Sequence, residues 1–416
     1  MTEMTRIYPI AIVGLWIALA RPASADEELT VALNFPQSDA TFTEMKKLAQ
    51  AYEKETPGVS INVVSLPSYE NTMKTKMAAR DLPDLWSTHG WSVARYSEYL
   101  TPLGGEPWAS KVNPLIKPVI TDNTGKIFVL PLDVDVAGIA FNREILDKAG
   151  VDPLAIKTWD DFRAACDKVK KLKKICVHIA GRATDSWTVG NFYDWVAPSF
   201  LITNEKANSR AALKAGSFDW KNWRPVAKLL VDFRDAGYLN PDYMQGNWLD
   251  VGKKLASGDA AFGFFGNYVI GEAKKYNPKG KYGFIPLPAA STDDTPSVIT
   301  GERVTLGVWK DTKHKATALK FLLFMSRPDN VNKIATINGN PTGLVGTGYK
   351  SDEGDLAPYF REAIRARAFS YFDREYLPSG MWDAMCNTGM GLLANTMTLD
   401  QVVAKMKNDY DSLKSR

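Results

Sequence analysis

Two closely spaced carboxylates, three imidazoles and a scatter of aromatic rings are the residues of this chain best suited to chemistry. Residues 130–144 read LPLDVDVAGIAFNRE, where Val134, Val136, Ile139, Ala140 and Phe141 give strand character. Asp133 and Asp135 interrupt it on one face, because alternate side chains of a strand point the same way. Acids so placed have Cα atoms roughly 6–7 Å apart. That spacing imitates a glycosidase pair, but such a pair must flank the scissile bond, which neighbours on one strand do not easily do. Carboxylates accepting hydrogen bonds from sugar hydroxyls fit better, since a charged acceptor makes the stronger bond. A solvated pair near a strand end satisfies the same pattern. The residues alone leave these readings open.

Other catalytic signatures are missing from the sequence: no G-x-S-x-G elbow, H-E-x-x-H, Walker A loop or C-x-x-C. His89, His178 and His314 have no metal-ligand spacing, so neither a metal nor a cofactor is expected. His178 and His314 read as structural or surface residues. His89 is different, because WSTHGW follows a strand at its C-terminal end, where open α/β sheets bind ligands. Among the tryptophans, Trp91, Trp187, Trp248 and Trp382 stand in polar, loop-like surroundings. A pyranose has an apolar C–H face and a rim of hydroxyls, which suits an aromatic surface flanked by carboxylates and amides. Core packing competes with that role at every single position. Trp159 and Trp309, each within a regular element, are assigned to packing.

The elements that must position these groups alternate. LTVALN is a strand, and a helix from about Thr41 carries Phe42, Met45, Leu48, Ala49 and Tyr52 at helical spacing before Pro57-Gly58 ends the segment. VSINVVSL is a second strand, Tyr69 to Ala79 a second helix, and DLPDLWST a short third strand. This order predicts a largely parallel sheet covered on both faces. Thr158 in KTWDDF is a helix N-cap with Asp161 three residues on. The lysines that follow, Lys168, Lys170, Lys171, Lys173 and Lys174, read as a solvated helix face.

The N-terminus sets the compartment. Arg6 precedes the apolar run IAIVGLWIALA, and RPASA places Ala23 and Ala25 at the small-residue positions of a cleavage site. Residues 1–25 therefore read as a signal peptide, and the apolar run is too short to span a bilayer comfortably. No cysteine adjoins the site to carry a lipid. The formal charge of the chain is +4, and without the leader it stays near neutral, so no nucleic-acid footprint is expected. Three cysteines are too few for a disulfide framework. A Cys166–Cys176 bridge is open to the chain in an oxidising compartment, but sequence does not give its Cα separation.

The chain resembles the extracellular solute-binding proteins of ATP-binding-cassette sugar importers, the group that includes the maltose-binding protein. The likeness lies in five stretches in the family's order: AYEKETPGVSINVVSLPSYENTMKTKMAARDLPDLW; GKIFVLPLDVDVAGIAFNREILDKAGVDP followed by TWDDF; LASGDAAFGFFGNYVIGE with YGFIPLP; ITGERVTLGVWKDTKHKATALKFLLFM; and LANTMTLDQVVAKMKNDYD. It implies an α/β, hinged, two-lobe periplasmic-binding-protein fold of type II, with a ligand cleft between the lobes. The first lobe would be 26–135 with 303–345, and the second 136–302 with 346–416. Asp135 falls at the family's acidic ligand contact, with Asp133 second. WSTHGW implicates His89 and Trp91. Tyr268 stands where relatives often carry a stacking Trp, and Trp382 corresponds to an aromatic late in the second lobe. Trp187 and Tyr193 fall in a region where relatives contact ligand, Glu302 lies at the second crossing, and Asn34 follows the first strand where relatives place a polar contact.

What the resemblance implies is a periplasmic carrier, monomeric, that catalyses no reaction. It would capture a sugar or oligosaccharide and hand it to membrane permease subunits. Two readings compete. A secreted glycoside-active enzyme would use Asp133, Asp135 or Glu302. A binder of an anion or ferric ion would need an arginine or helix N-terminal cradle, or a tyrosine–carboxylate set, neither of which is identifiable. A chemotaxis receptor subunit is compatible with sugar binding. Neither the identity and length of the sugar nor its charge is readable here.

Overall fold

A computed structural model describes residues 27–264, 266, 268–349 and 366–414. Residues 1–25, expected to be a signal peptide, lie outside the described residues. Among the described residues twelve strands carry the fold: β1 (Glu27–Leu33), β2 (Val59–Ser65), β3 (Leu85–Trp86), β4 (Val129–Pro131), β5 (Val134–Ala137), β6 (Ile139–Asn142), β7 (Ile175–His178), β8 (Ala260–Gly263), β9 (Tyr282–Ile285), β10 (Ser297–Glu302), β11 (Thr305–Val308) and β12 (Arg367–Ser370). They form three sheets, ordered β2-β1-β3-β11-β4, β12-β10-β5 and β7-β8-β6-β9.

The first sheet grows as the sequence leads one to expect. Helix Ala40–Glu55 starts on Asp39, whose carboxylate accepts from the Thr41 amide, and buries Phe42, Met45, Leu48, Ala49 and Tyr52. It returns the chain so that β2 runs parallel to β1, and helix Tyr69–Ala79 does the same for β3. The sheet is nevertheless mixed rather than largely parallel, because β11 pairs antiparallel to both β3 and β4. The reason is connectivity: β11 re-enters this sheet from β10 of another, so no right-handed crossover sets its direction.

The chain passes between sheets at Leu132–Asp133 and at Arg303–Val304. These passages are tied together by the Leu132 amide to the Val304 carbonyl at 2.9 Å, and the Val134 amide to the Pro341 carbonyl, also 2.9 Å. Residues 130–144 therefore hold the end of β4 and the whole of β5 and β6. β5 and β6 part at Gly138, where a Cβ would lie 2.5 Å from the Ile285 carbonyl oxygen.

Packed on β7, helix Trp159–Lys171 has the full capping box of Thr158 and Asp161. It lays Trp159 and Phe162 against Phe233 and Phe264. Lys168, Lys170, Lys171 and Lys173 are exposed, as a solvated face requires. Cys166 of this helix and Cys176 of β7 are disulfide-bonded, with Cα atoms 5.2 Å apart, while Cys386 is free and buried. Trp159 is core and bonds Ser199 Oγ at 2.9 Å. His314 pairs with Glu27 at 2.9 Å, and His178 is buried beside β8, so neither faces the cleft described next.

Candidate ligand-binding cleft

The passages between sheets place a cluster of polar and aromatic side chains together. Asp135, in the middle of β5, is half-buried opposite Gly301 of β10, and Tyr371 donates its hydroxyl proton to Asp135 Oδ2. Arg303, from the second passage, lies within the electrostatic reach of Asp133 and Asp135. Burial works against its charge, but these carboxylates outweigh it and hold the guanidinium above its ordinary pKa. Its plane sits 5.9 Å from the Tyr268 ring and 5.7 Å from Phe35. Tyr268 in turn packs edge-on to Trp248 at 6.3 Å, and Trp248 to Trp187 at 5.9 Å. All three rings are half-buried, and Asp185 holds the Trp248 backbone through a 3.1 Å bond from its amide. The result is an aromatic wall beside a charged floor, the combination a sugar requires.

His89 approaches from the first lobe, just beyond β3, with φ +47°. Its Nδ1 is shielded from water and has no protein partner among the described residues. Burial, then the charges of Arg374 and Arg303, hold its pKa down to about 3, so the ring is neutral at physiological pH. A neutral imidazole offers one donor and one acceptor. Arg303 Nε and Arg374 Nη1 are likewise buried without partners among the described residues. Because a shielded polar atom left unbonded costs about 1–3 kcal/mol, this group favours a ligand that supplies hydroxyls.

Not every residue expected in the site is brought there. Asp133 is 0 % exposed. It accepts from the Val304 amide at 2.8 Å and from Asn338 and Asn340 Nδ2, each at 2.9 Å, so its carboxylate is spent on binding the passages together. Glu302, 1 % exposed, accepts from Thr88, Ser92 and Thr305 and braces the His89 loop against β10. Tyr193 is 0 % exposed and packs on Trp223 at 5.6 Å inside the second lobe. Trp91, 5 % exposed, stands 5.5 Å from His89, with Arg95 and Arg374 over its ring at 4.6 and 5.6 Å. It backs His89 rather than offering a stacking platform. Asn34 accepts from Ser87 Oγ at 2.8 Å and lines the cleft with His89 and Trp382.

Arg303, Arg374 and Tyr371 went unnoticed in the sequence. Arg303 adjoins Glu302 in GERV, but nothing in its spacing separates it from a surface arginine. Arg374 and Tyr371 come from YFDRE, outside the five family-like stretches.

Residues 36–332 match the family model described as bacterial extracellular solute-binding protein. The chain belongs to that family. It is 32 % identical over 384 residues to the melibiose/raffinose/stachyose-binding protein MelE of Bacillus subtilis, covering 91 % of this chain and 88 % of MelE. Among solved structures, a Bacillus licheniformis sugar transporter in complex with stachyose superposes with a TM-score of 0.83 at 33 % identity, covering 93 % of this chain and 100 % of the other. The MsmE candidate binding protein of Bacillus subtilis, in an open conformation, gives 0.88 at 31 % identity over 94 % and 98 %. The two-lobe α/β solute-binding fold is thereby established, and the family works outside the cytoplasm.

Proposed function

We propose that this protein captures an oligosaccharide in the cleft and delivers it to the permease of an ATP-binding-cassette importer, with no reaction on the chain. The observation that carries the reading is the wall of Trp187, Trp248 and Tyr268 beside Asp135, Arg303 and His89, in a chain so similar to a melibiose/raffinose/stachyose-binding protein. Sugar rings lie against the aromatics. Asp135 accepts from a hydroxyl, and the buried nitrogens of His89, Arg303 and Arg374 take up others. The one carboxylate left on this floor, Asp135, is matched by the charge of Arg303, which favours a neutral saccharide over an acidic one. Two of the three carboxylates weighed for glycoside cleavage, Asp133 and Glu302, are fully engaged by protein donors, which supports binding over catalysis.

In this reading the lobes comprise 26–135 with 303–345, and 136–302 with 346–416. The mature protein begins after Ala25 and acts in the periplasm as a monomer, with no nucleic-acid partner. A thermal-shift screen of residues 26–416 against saccharides, sugar acids, amino acids and ferric citrate tests it. A ligand present at a thousandfold its Kd adds about 4 kcal/mol, enough to raise the midpoint by several degrees. Asp135→Ala should weaken binding of the responding sugar by about 1.5–3 kcal/mol. Silence from every saccharide, or turnover of one, overturns the reading.

A further inference from the structure

His89 stands in a turn whose conformation its residues do not favour alone. The Trp91 amide closes the turn on the Thr88 carbonyl at 3.0 Å, and the two residues between, His89 and Gly90, have φ +47° and +93°. A turn with positive φ at both central positions ordinarily takes Gly, Asn or Asp there. A bulkier residue persists in that region only where its surroundings impose it.

One side chain imposes it. Glu302, the last residue of β10, accepts hydroxyl protons from Thr88 and Ser92, which flank the turn on either side. The Ser92 amide donates to the same carboxylate at 3.2 Å, and Thr305, just past the second passage, donates at 3.1 Å. Each of these donors is neutral, although Glu302 is buried. A buried carboxylate is ordinarily met by a cation, and an apolar side chain would fill the space without the cost of desolvating a charge. Packing therefore does not account for an acid at this position, whereas holding Thr88 and Ser92 does.

The neighbours of Glu302 act on the cleft directly. Gly301 leaves room for the Tyr371 ring that reaches Asp135, since a Cβ would lie 2.3 Å from that ring. Arg303 belongs to the charged floor. Glu302 meets the cleft only through the turn. We infer that Glu302 is a positioning residue for sugar binding: it fixes the His89 turn to the second passage, and so sets where the imidazole stands in the cleft. The inference rests on the sugar-binding reading above, in which His89 contacts the ligand.

The test is a double-mutant cycle, read by calorimetric titration of the mature protein with stachyose. Glu302→Gln keeps the side-chain volume but turns one acceptor oxygen into a donor that confronts the hydroxyls. Ser92→Ala removes one donor and leaves the carboxylate, so it carries the cycle if the glutamine variant does not fold. Urea denaturation of each variant separates folding from binding. Glu302→Gln should weaken stachyose binding by about tenfold, and Ser92→Ala by less. In a His89→Ala background neither change should weaken binding further, because both act through the imidazole. A merely structural role would lower stability and leave affinity unchanged, or weaken binding equally with and without His89. Either result, or a His89→Ala variant as tight as wild type, overturns the positioning role and leaves the sugar reading intact. No binding of stachyose, raffinose or melibiose by the wild type overturns both.

Discussion

Asp133 stands at the crossing with its carboxylate buried among three N–H donors and beside Arg303. Burial raises its pKa from 3.8 to about 6, against the pull of Arg303 and those donors. The folded protein then holds this proton more tightly than the unfolded chain. The stabilisation is fully present below about pH 4 and lost as pH rises through 6. At ~1.4 kcal/mol per pH unit, up to ~3 kcal/mol is involved. Urea denaturation of wild type and Asp133→Asn across pH 4–7 should therefore show the wild-type advantage shrinking as pH rises. A constant advantage would mean that Asp133 titrates near its ordinary value, and a growing one that the fold lowers its pKa instead. The pair Asp194 and Asp373 is raised in the same direction, chiefly by burial, against the pull of Arg374 on both.

Among the elements, the loop from Ser87 to Tyr99 does most to hold the site. Glu302 braces it from β10, and Arg95 reaches Asp373 beyond β12 at 3.4 Å, both side chains being largely buried. Gly90 sits at its apex with φ +93°, and a Cβ there would lie 2.3 Å from Arg374 Nη1 and 2.5 Å from its Cδ. Only glycine combines that conformation with that approach. Gly90→Ala should cost about 1–2 kcal/mol from backbone strain alone, and displace Arg374 from Trp91, lowering both unfolding free energy and sugar affinity. Stability equal to wild type would show that the loop adapts. The Cys166–Cys176 bridge ties a helix to β7 over a sequence separation of 10. Replacing both cysteines with serine should lower stability by about 2–3 kcal/mol, measured by denaturation with sugar absent.

At the scale of the whole molecule, the cleft draws residues from both lobes and from the passages between them. A sugar that touches both lobes favours the arrangement in which both sets of contacts form, and shifts the population only by that difference in affinity. Small-angle scattering should show a smaller radius of gyration on adding the responding saccharide. An unchanged radius at saturation would mean that the lobes are already set before binding. The Arg95–Asp373 ion pair joins the two lobes if they divide as proposed above, so Asp373→Asn should enlarge the unliganded radius.

Strand and helix alternation, the Thr158 cap, the buried stripe of the first helix and the family-like stretches were legible because each depends on local spacing. The position of Asp135 was legible for the same reason: a strand's period of two fixes its face. What the sequence could not reveal is which carboxylate is already spent. Asp133 and Asp135 are alike in type and spacing, yet Asp133 meets Asn338, Asn340 and the Val304 amide, groups about 170–207 residues away along the chain. Glu302 is satisfied by Thr88 and Ser92 from more than 200 residues back. Arg303 and Arg374 enter the cleft only because separate passages converge there. Local physics determined the elements and the family. Tertiary structure decided which polar groups still lack a partner, because hydrogen-bond satisfaction is settled only when distant segments meet.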